Sequence, residues 1–184
     1  MSIFIPEHNL IFIHVPRTGG SSMERTPLLC CATSHDSIRV FRDLLAPETF
    51  RSAFKFGFVR NPWDRYVSAF RAGQAGIGSN DLAFEVRDHA MPPQSPEHFR
   101  AQWEFVCDED GNLLVDCVGH YETLEEDWAK ICRAVGCEVY PLGHERKTER
   151  KPYQEYYTAE QALALKRIYA RDVMLFGYKF GEDW

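Results

Sequence analysis

Leu10-Ile11-Phe12-Ile13-His14-Val15-Pro16-Arg17-Thr18-Gly19-Gly20-Ser21-Ser22 is the first strong pattern in the chain. Residues 10–15 are β-branched or apolar apart from His14, and Asn9 and Pro16 bound them. A short run of that kind suits a buried parallel strand. The glycine pair follows at once, and a helix is expected from about Ser21. Strand, glycine turn and helix together make an anion cradle. Glycine lets backbone amides approach closely, and a helix start offers N–H groups and a positive dipole end. Arg17 adds a fixed charge; Thr18, Ser21 and Ser22 add hydroxyl donors. A plain structural turn does not need that collection, so the stretch reads as a phosphate or sulfate site. It is not the nucleoside-triphosphate loop GxxxxGK[ST], because Ser21 rather than lysine follows Gly20.

A second apolar run, Phe54 to Val59, reads as another core strand and leads into Arg60-Asn61-Pro62-Trp63-Asp64-Arg65-Tyr66-Val67-Ser68-Ala69-Phe70. Pro62 suits the first turn of a helix reaching about Ala72, with Tyr66, Ala69 and Phe70 facing the core. Arg60 stands at the carboxyl end of its strand, where open α/β sheets bind ligands. Ser68 follows about two helical turns later and could offer its hydroxyl to the same anion. The alternative makes Arg60 a capping or ion-paired residue and Ser68 a packing residue.

Together the two stretches resemble the cofactor motifs of the sulfotransferases that use 3′-phosphoadenosine 5′-phosphosulfate (PAPS), most of all the carbohydrate-sulfotransferase branch. Weaker similarity continues through Val118 to Trp128, through Leu142 to Tyr157, and from Tyr169 to Tyr178. The resemblance implies an α/β, P-loop-like three-layer fold with a mainly parallel central sheet. It implies that Arg17, Thr18, Gly19, Gly20, Ser21 and Ser22 hold the 5′-phosphosulfate. Arg60 and Ser68 would hold the 3′-phosphate, with Thr148, Arg150 and Lys151 closing over the nucleotide. Released product would be 3′-phosphoadenosine 5′-phosphate (PAP), and no metal is expected. Many relatives carry lysine where Arg17 stands. Arginine stays protonated, so its expected role is electrostatic stabilisation rather than proton donation. His35, which follows a presumed strand, is the expected base toward the acceptor hydroxyl, since imidazole titrates near neutrality. A carboxylate base stays open. So do two other readings: a nucleotide kinase, and a non-catalytic PAPS- or PAP-binding module.

The remaining sequence sets bounds. At 184 residues the chain suits one α/β domain spanning 1–184. A net charge of −6 argues against broad nucleic-acid binding, so the expected partner is a carbohydrate or other small acceptor. No long apolar run indicates a membrane helix or signal peptide, and six cysteines show no CxxC or zinc spacing. A cytoplasmic protein with reduced cysteines is expected. A further strand is expected over Leu28 to Ala32, then a helix to about Leu45 capped by Ser34 or Asp36. Asp110-Gly111 reads as a hairpin turn between Trp103–Cys107 and Leu113–Val118. Thr123 with Glu126 suggests a capping box for a helix to Val135, and Thr158 caps a helix ending near Ala170. The basic residues Arg146, Lys147, Arg150 and Lys151 read as a cofactor lid or a solvated loop. Trp63, Tyr66 and Trp103 could stack on a ligand or pack in the core. Acceptor contacts are expected within residues 73–102.

Overall fold

A computed structural model of the chain describes residues 2–29, 34–73, 96–143 and 150–182. Four strands form one open sheet, in order β1 (Ile3–Ile5), β2 (Leu10–Ile13), β3 (Phe54–Val59) and β4 (Cys117–His120). β1 runs antiparallel to β2, whereas β2, β3 and β4 are parallel. The α/β class with a mainly parallel, helix-flanked sheet is therefore as expected. β1 was not foreseen: three residues ending at Pro6 carry too little pattern to read as a strand.

The chain divides into two compact units, Met1–Val59 with Gln102–Lys147, and Arg60–Ala101 with Thr148–Trp184. The sheet belongs to the first. Side chains alternate across its pleat. Leu10, Phe12, Phe56 and Phe58 pack with Met23, Leu28, Trp128 and Ile131. Trp128 and Ile131 come from the helix Leu124–Ala134, which thereby covers that face. Burying such side chains contributes about 1.5–3 kcal/mol each. On the opposite face a Cβ at Gly57 would lie 3.2 Å from Val106, so the helix Trp103–Val106 covers this side closely. Between β2 and β3 run α1 (Gly20–Met23), α2 (Ile38–Leu44) and α3 (Pro47–Ser52).

The second unit is built on α4 (Pro62–Gly73). Tyr66, Ala69 and Phe70 are buried, as their spacing predicts, and so are Trp63 and Val67. Trp63 Nε1 donates to the Ala162 carbonyl at 2.9 Å, and the Tyr157 hydroxyl donates to the Trp63 carbonyl at 2.8 Å. Tyr66 meets the Phe99 ring edge-to-face at 5.1 Å. Trp63 and Tyr66 are thus core residues rather than stacking platforms. The helix Ala159–Ile168 carries a complete capping box between Thr158 and Gln161, and a second helix restarts over Ala170–Phe176.

Several local expectations are corrected. Leu28 and Leu29 lie in a turn, and the rest of that presumed strand falls outside the described residues. α2 is N-capped at Ser37; Ser34 instead bridges Ser2 and donates its hydroxyl to Asp36. Trp103–Val106 is a helical turn, with a single bridge from Cys107 to Leu113. Asp108 closes the following loop by accepting from the Asp110 and Asn112 amides, which displaces the hairpin. Thr123 stands at the N-cap of the next helix but makes no capping box: its hydroxyl donates to Asp127 at 2.9 Å, the residue after Glu126. Cys107, Cys117, Cys132 and Cys137 are thiols. No helix among the described residues is long and apolar enough to cross a membrane.

Candidate active site

In the first unit the glycine loop leaves β2 and turns through two left-handed residues, Arg17 at φ 71° and Gly19 at φ 85°. An arginine in that region is strained by about 1–3 kcal/mol, a cost that tends to sit at functional turns. Successive backbone amides in turns of this kind make concave anion sites. Thr18 is buried and its hydroxyl donates to the Val15 carbonyl at 2.7 Å, which pins the turn. α1 is a single helical turn, so an anion at this turn would meet loop amides more than a helix dipole. Gly19 lies against the start of the β4 connection, where a Cβ would sit 3.0 Å from Leu124 and 3.3 Å from Tyr121. Gly20 has no room at all: its Cβ would fall 2.1 Å from His14 Nε2.

His14 is the floor of this loop. Its backbone N–H donates to the Ser2 hydroxyl at 3.0 Å, and its Nδ1 lies 3.0 Å from Glu24 Oε1. His35 stands edge-on to the His14 ring, with centroids 4.8 Å apart. The structure therefore brings His35 beside the floor of the Arg17–Ser22 turn, although these residues are well separated in sequence.

In the second unit, Arg60 is 5% exposed and buried beside Asp64. Arg60 donates from Nε (2.9 Å) and Nη2 (2.7 Å) to Asp64 Oδ2. Arg150 Nη1 reaches Asp64 Oδ1 at 2.5 Å. The ion-paired reading of Arg60 is thus real, and the same pair gathers Arg150 with it. Ser68 is half-buried one turn beyond Asp64, on the same face of α4. Burial pushes the Asp64 carboxyl up, but the Arg60 and Arg150 guanidiniums outweigh that, so it is held below its ordinary range. Its contribution to stability is fully present above the ordinary carboxylate pKa and is lost as pH falls through the lowered folded value.

Lys151 is exposed and lies 3.9 Å from Glu155, outside this cluster. Thr148 lies outside the described residues, as do Arg146 and Lys147. Most of the 73–102 segment also lies outside them. Asn61 organises the strand-to-helix joint: its Oδ1 accepts from the Trp63 amide at 3.1 Å, and its Nδ2 donates to the Tyr153 hydroxyl at 3.2 Å. Arg65 has a structural role, fully buried and donating to the Arg100 carbonyl at 2.8 Å. Sequence reasoning gave Asp64 no role. The signal was its spacing, four residues after Arg60 and four before Ser68.

A mainly parallel sheet with a glycine turn after its first parallel strand, and a buried arginine after the next, is the α/β arrangement in which the sequence expects its two motifs. The sequence profile of the sulfotransferase family matches residues 1–179, and the chain belongs to that family. It is 27% identical over 221 residues to carbohydrate sulfotransferase 14 of Danio rerio, covering 94% of this chain and 60% of that protein. It is 23% identical over 232 residues to carbohydrate sulfotransferase 11 of Rattus norvegicus, covering 94% and 65%. Carbohydrate sulfotransferase 10 of Xenopus laevis is 26% identical over 179 residues, covering 72% and 49%. The chain thus spans less than two thirds of the length of these relatives. No solved structure matches it significantly.

Proposed function

We propose that this chain transfers a sulfuryl group from PAPS to a hydroxyl of a carbohydrate acceptor and releases PAP. The observation that carries the reading is a left-handed Arg17 in a hydroxyl-rich glycine turn, in a chain whose second motif supplies a buried Arg60–Asp64–Arg150 cluster. The donor sets fit the anions of the nucleotide. Loop amides and an arginine suit a 5′-phosphosulfate; two guanidiniums and a serine suit a 3′-phosphate.

PAPS supplies an electrophilic sulfur and a phosphate leaving group. The acceptor oxygen forms the new S–O bond while the bond from sulfur to the bridging phosphate oxygen breaks, and its electron pair leaves with PAP. Arg17 and the loop amides stabilise charge growing on that bridging oxygen. His35 takes the acceptor proton. Such chemistry asks the protein mainly for positioning and fixed charge.

The direct test is thermal-shift binding with PAP, ADP and ATP. PAP at about a hundred times its Kd is expected to add about 2.7 kcal/mol and raise Tm by roughly 5–10 °C. ADP is expected to do less, and Arg60→Ala to erase the difference. Equal shifts from PAP and ADP in the unmodified protein contradict the 3′-phosphate assignment. A magnesium-dependent turnover of ATP favours a kinase instead. Tight PAP binding without turnover across an acceptor panel favours a binding module.

For the chemical step, His35→Ala is expected to lower turnover on the order of a hundredfold while PAP affinity changes little. Unaltered turnover in steady-state assays removes His35 as the base and turns attention to a carboxylate.

A further inference from the structure

Asp64 is the one carboxylate among the described residues seen to bind both Arg60 and Arg150. Arg60 follows the end of β3, whereas Arg150 comes from a distant part of the sequence. Two guanidiniums brought together repel, and burial removes the water that would screen them. Asp64 answers both with separate oxygens: Oδ2 takes Nε and Nη2 of Arg60, and Oδ1 takes Nη1 of Arg150. Two charge-assisted hydrogen bonds at 2.7–2.9 Å fix the plane of Arg60, and an ion-pair contact at 2.5 Å holds Arg150 beside it. Among these three side chains the positive groups outnumber the negative by one. That is suited to an added anion with several acceptor oxygens.

We propose that Asp64 is a positioning residue that assembles Arg60 and Arg150 into a two-guanidinium clamp selective for a dianionic phosphate, the 3′-phosphate of the nucleotide. The proposal rests on the function proposed above and names the residue that gives the site its selectivity. As an anion itself, Asp64 lowers the general attraction of the cluster for negative ligands. What it supplies is geometry. Its signature is therefore discrimination between nucleotides rather than raw affinity. A purely structural ion triad would affect stability and leave that discrimination alone.

The test is calorimetric titration of the full chain with PAP and with ADP at one fixed ionic strength, for the unmodified protein, Asp64→Asn and Asp64→Glu. Asp64→Asn is expected to lower the preference for PAP over ADP at least tenfold, while ADP affinity changes less than threefold. Asp64→Glu keeps the charge on the same helix face but displaces it by a methylene, and is expected to lose about three- to tenfold of the preference. If Asp64→Asn does not fold, Asp64→Glu carries the same test alone. An unchanged preference in either folded variant overturns the proposal while leaving the functional reading intact. Equal binding of PAP and ADP by the unmodified protein overturns both, and shows itself before any variant is made.

Discussion

Gly20→Ala is expected to lower the stability of the protein by about 2–3 kcal/mol, a fall in Tm of roughly 5–10 °C, and to abolish the added stability given by PAP. The added methyl has nowhere to go. It would lie 2.1 Å from His14 Nε2 and 2.3 Å from Cδ2, well inside contact distance. A free side chain would swing away from such a clash, but His14 is held on several sides. Glu24 lies 3.0 Å from its Nδ1, His35 abuts its ring at 4.8 Å, and Phe12 stacks beneath it at 6.0 Å. The ring is only 6% exposed, so little solvent space awaits it. Relief must come from the loop, and the loop carries the proposed anion-binding amides. Scanning calorimetry with and without PAP reads both effects. The double variant His14→Ala/Gly20→Ala sharpens the cause, since without the imidazole the second methyl should add almost no further loss. A Tm within about 1 °C of the unmodified protein, with the PAP shift retained, would show that the loop does not depend on this fit.

The parts of the fold that were legible in the sequence are those whose pattern is long or chemically unambiguous. β2 is an unbroken apolar run and β3 is interrupted only by the buried Lys55; nearly every residue of both is buried, and such runs have few alternative explanations. α4 announces itself by proline in its first turn and by core residues at helical spacing. Thr158 with Gln161 is a cap whose two halves both form. Short elements were hidden. Trp103–Val106 is one turn in which Trp103, Phe105 and Val106 are aromatic or β-branched, and local propensity alone reads it as a strand; covering a sheet face decides otherwise. The Thr123 cap failed because Asp127 competes for its hydroxyl and also accepts from the His120 amide at 3.0 Å. The site followed the same rule. The glycine turn and Arg60 stand in compact motifs, whereas the meeting of His14 with His35, and of Asp64 with Arg150, joins residues from separate segments. No local pattern encodes such contacts.

Arg17→Gly should separate catalysis from stability more cleanly than any alanine variant. Arg17 sits at φ 71°, where a Cβ is strained and glycine is not. An alanine would keep the strain while removing the charge, so its effects would be mixed. Glycine removes the guanidinium and relaxes the backbone together. Relief of strain is opposed by the greater freedom glycine gives the unfolded chain, which sets the net change at about 0–1 kcal/mol in favour of the fold. Tm is then expected to hold or rise by roughly 2 °C. Turnover is expected to fall by about a thousandfold, the scale of losing one well-placed donor to a developing oxyanion. Arg17→Lys tests the nature of that role. Lysine restores a positive charge and could also donate a proton, so a purely electrostatic role predicts recovery of most turnover with the pH profile unmoved. A new basic limb in the profile of Arg17→Lys would instead mean that the loop can protonate the leaving group. Unimpaired turnover in Arg17→Gly would remove the charge at this turn from the mechanism and leave the strained backbone at Arg17 without a catalytic explanation.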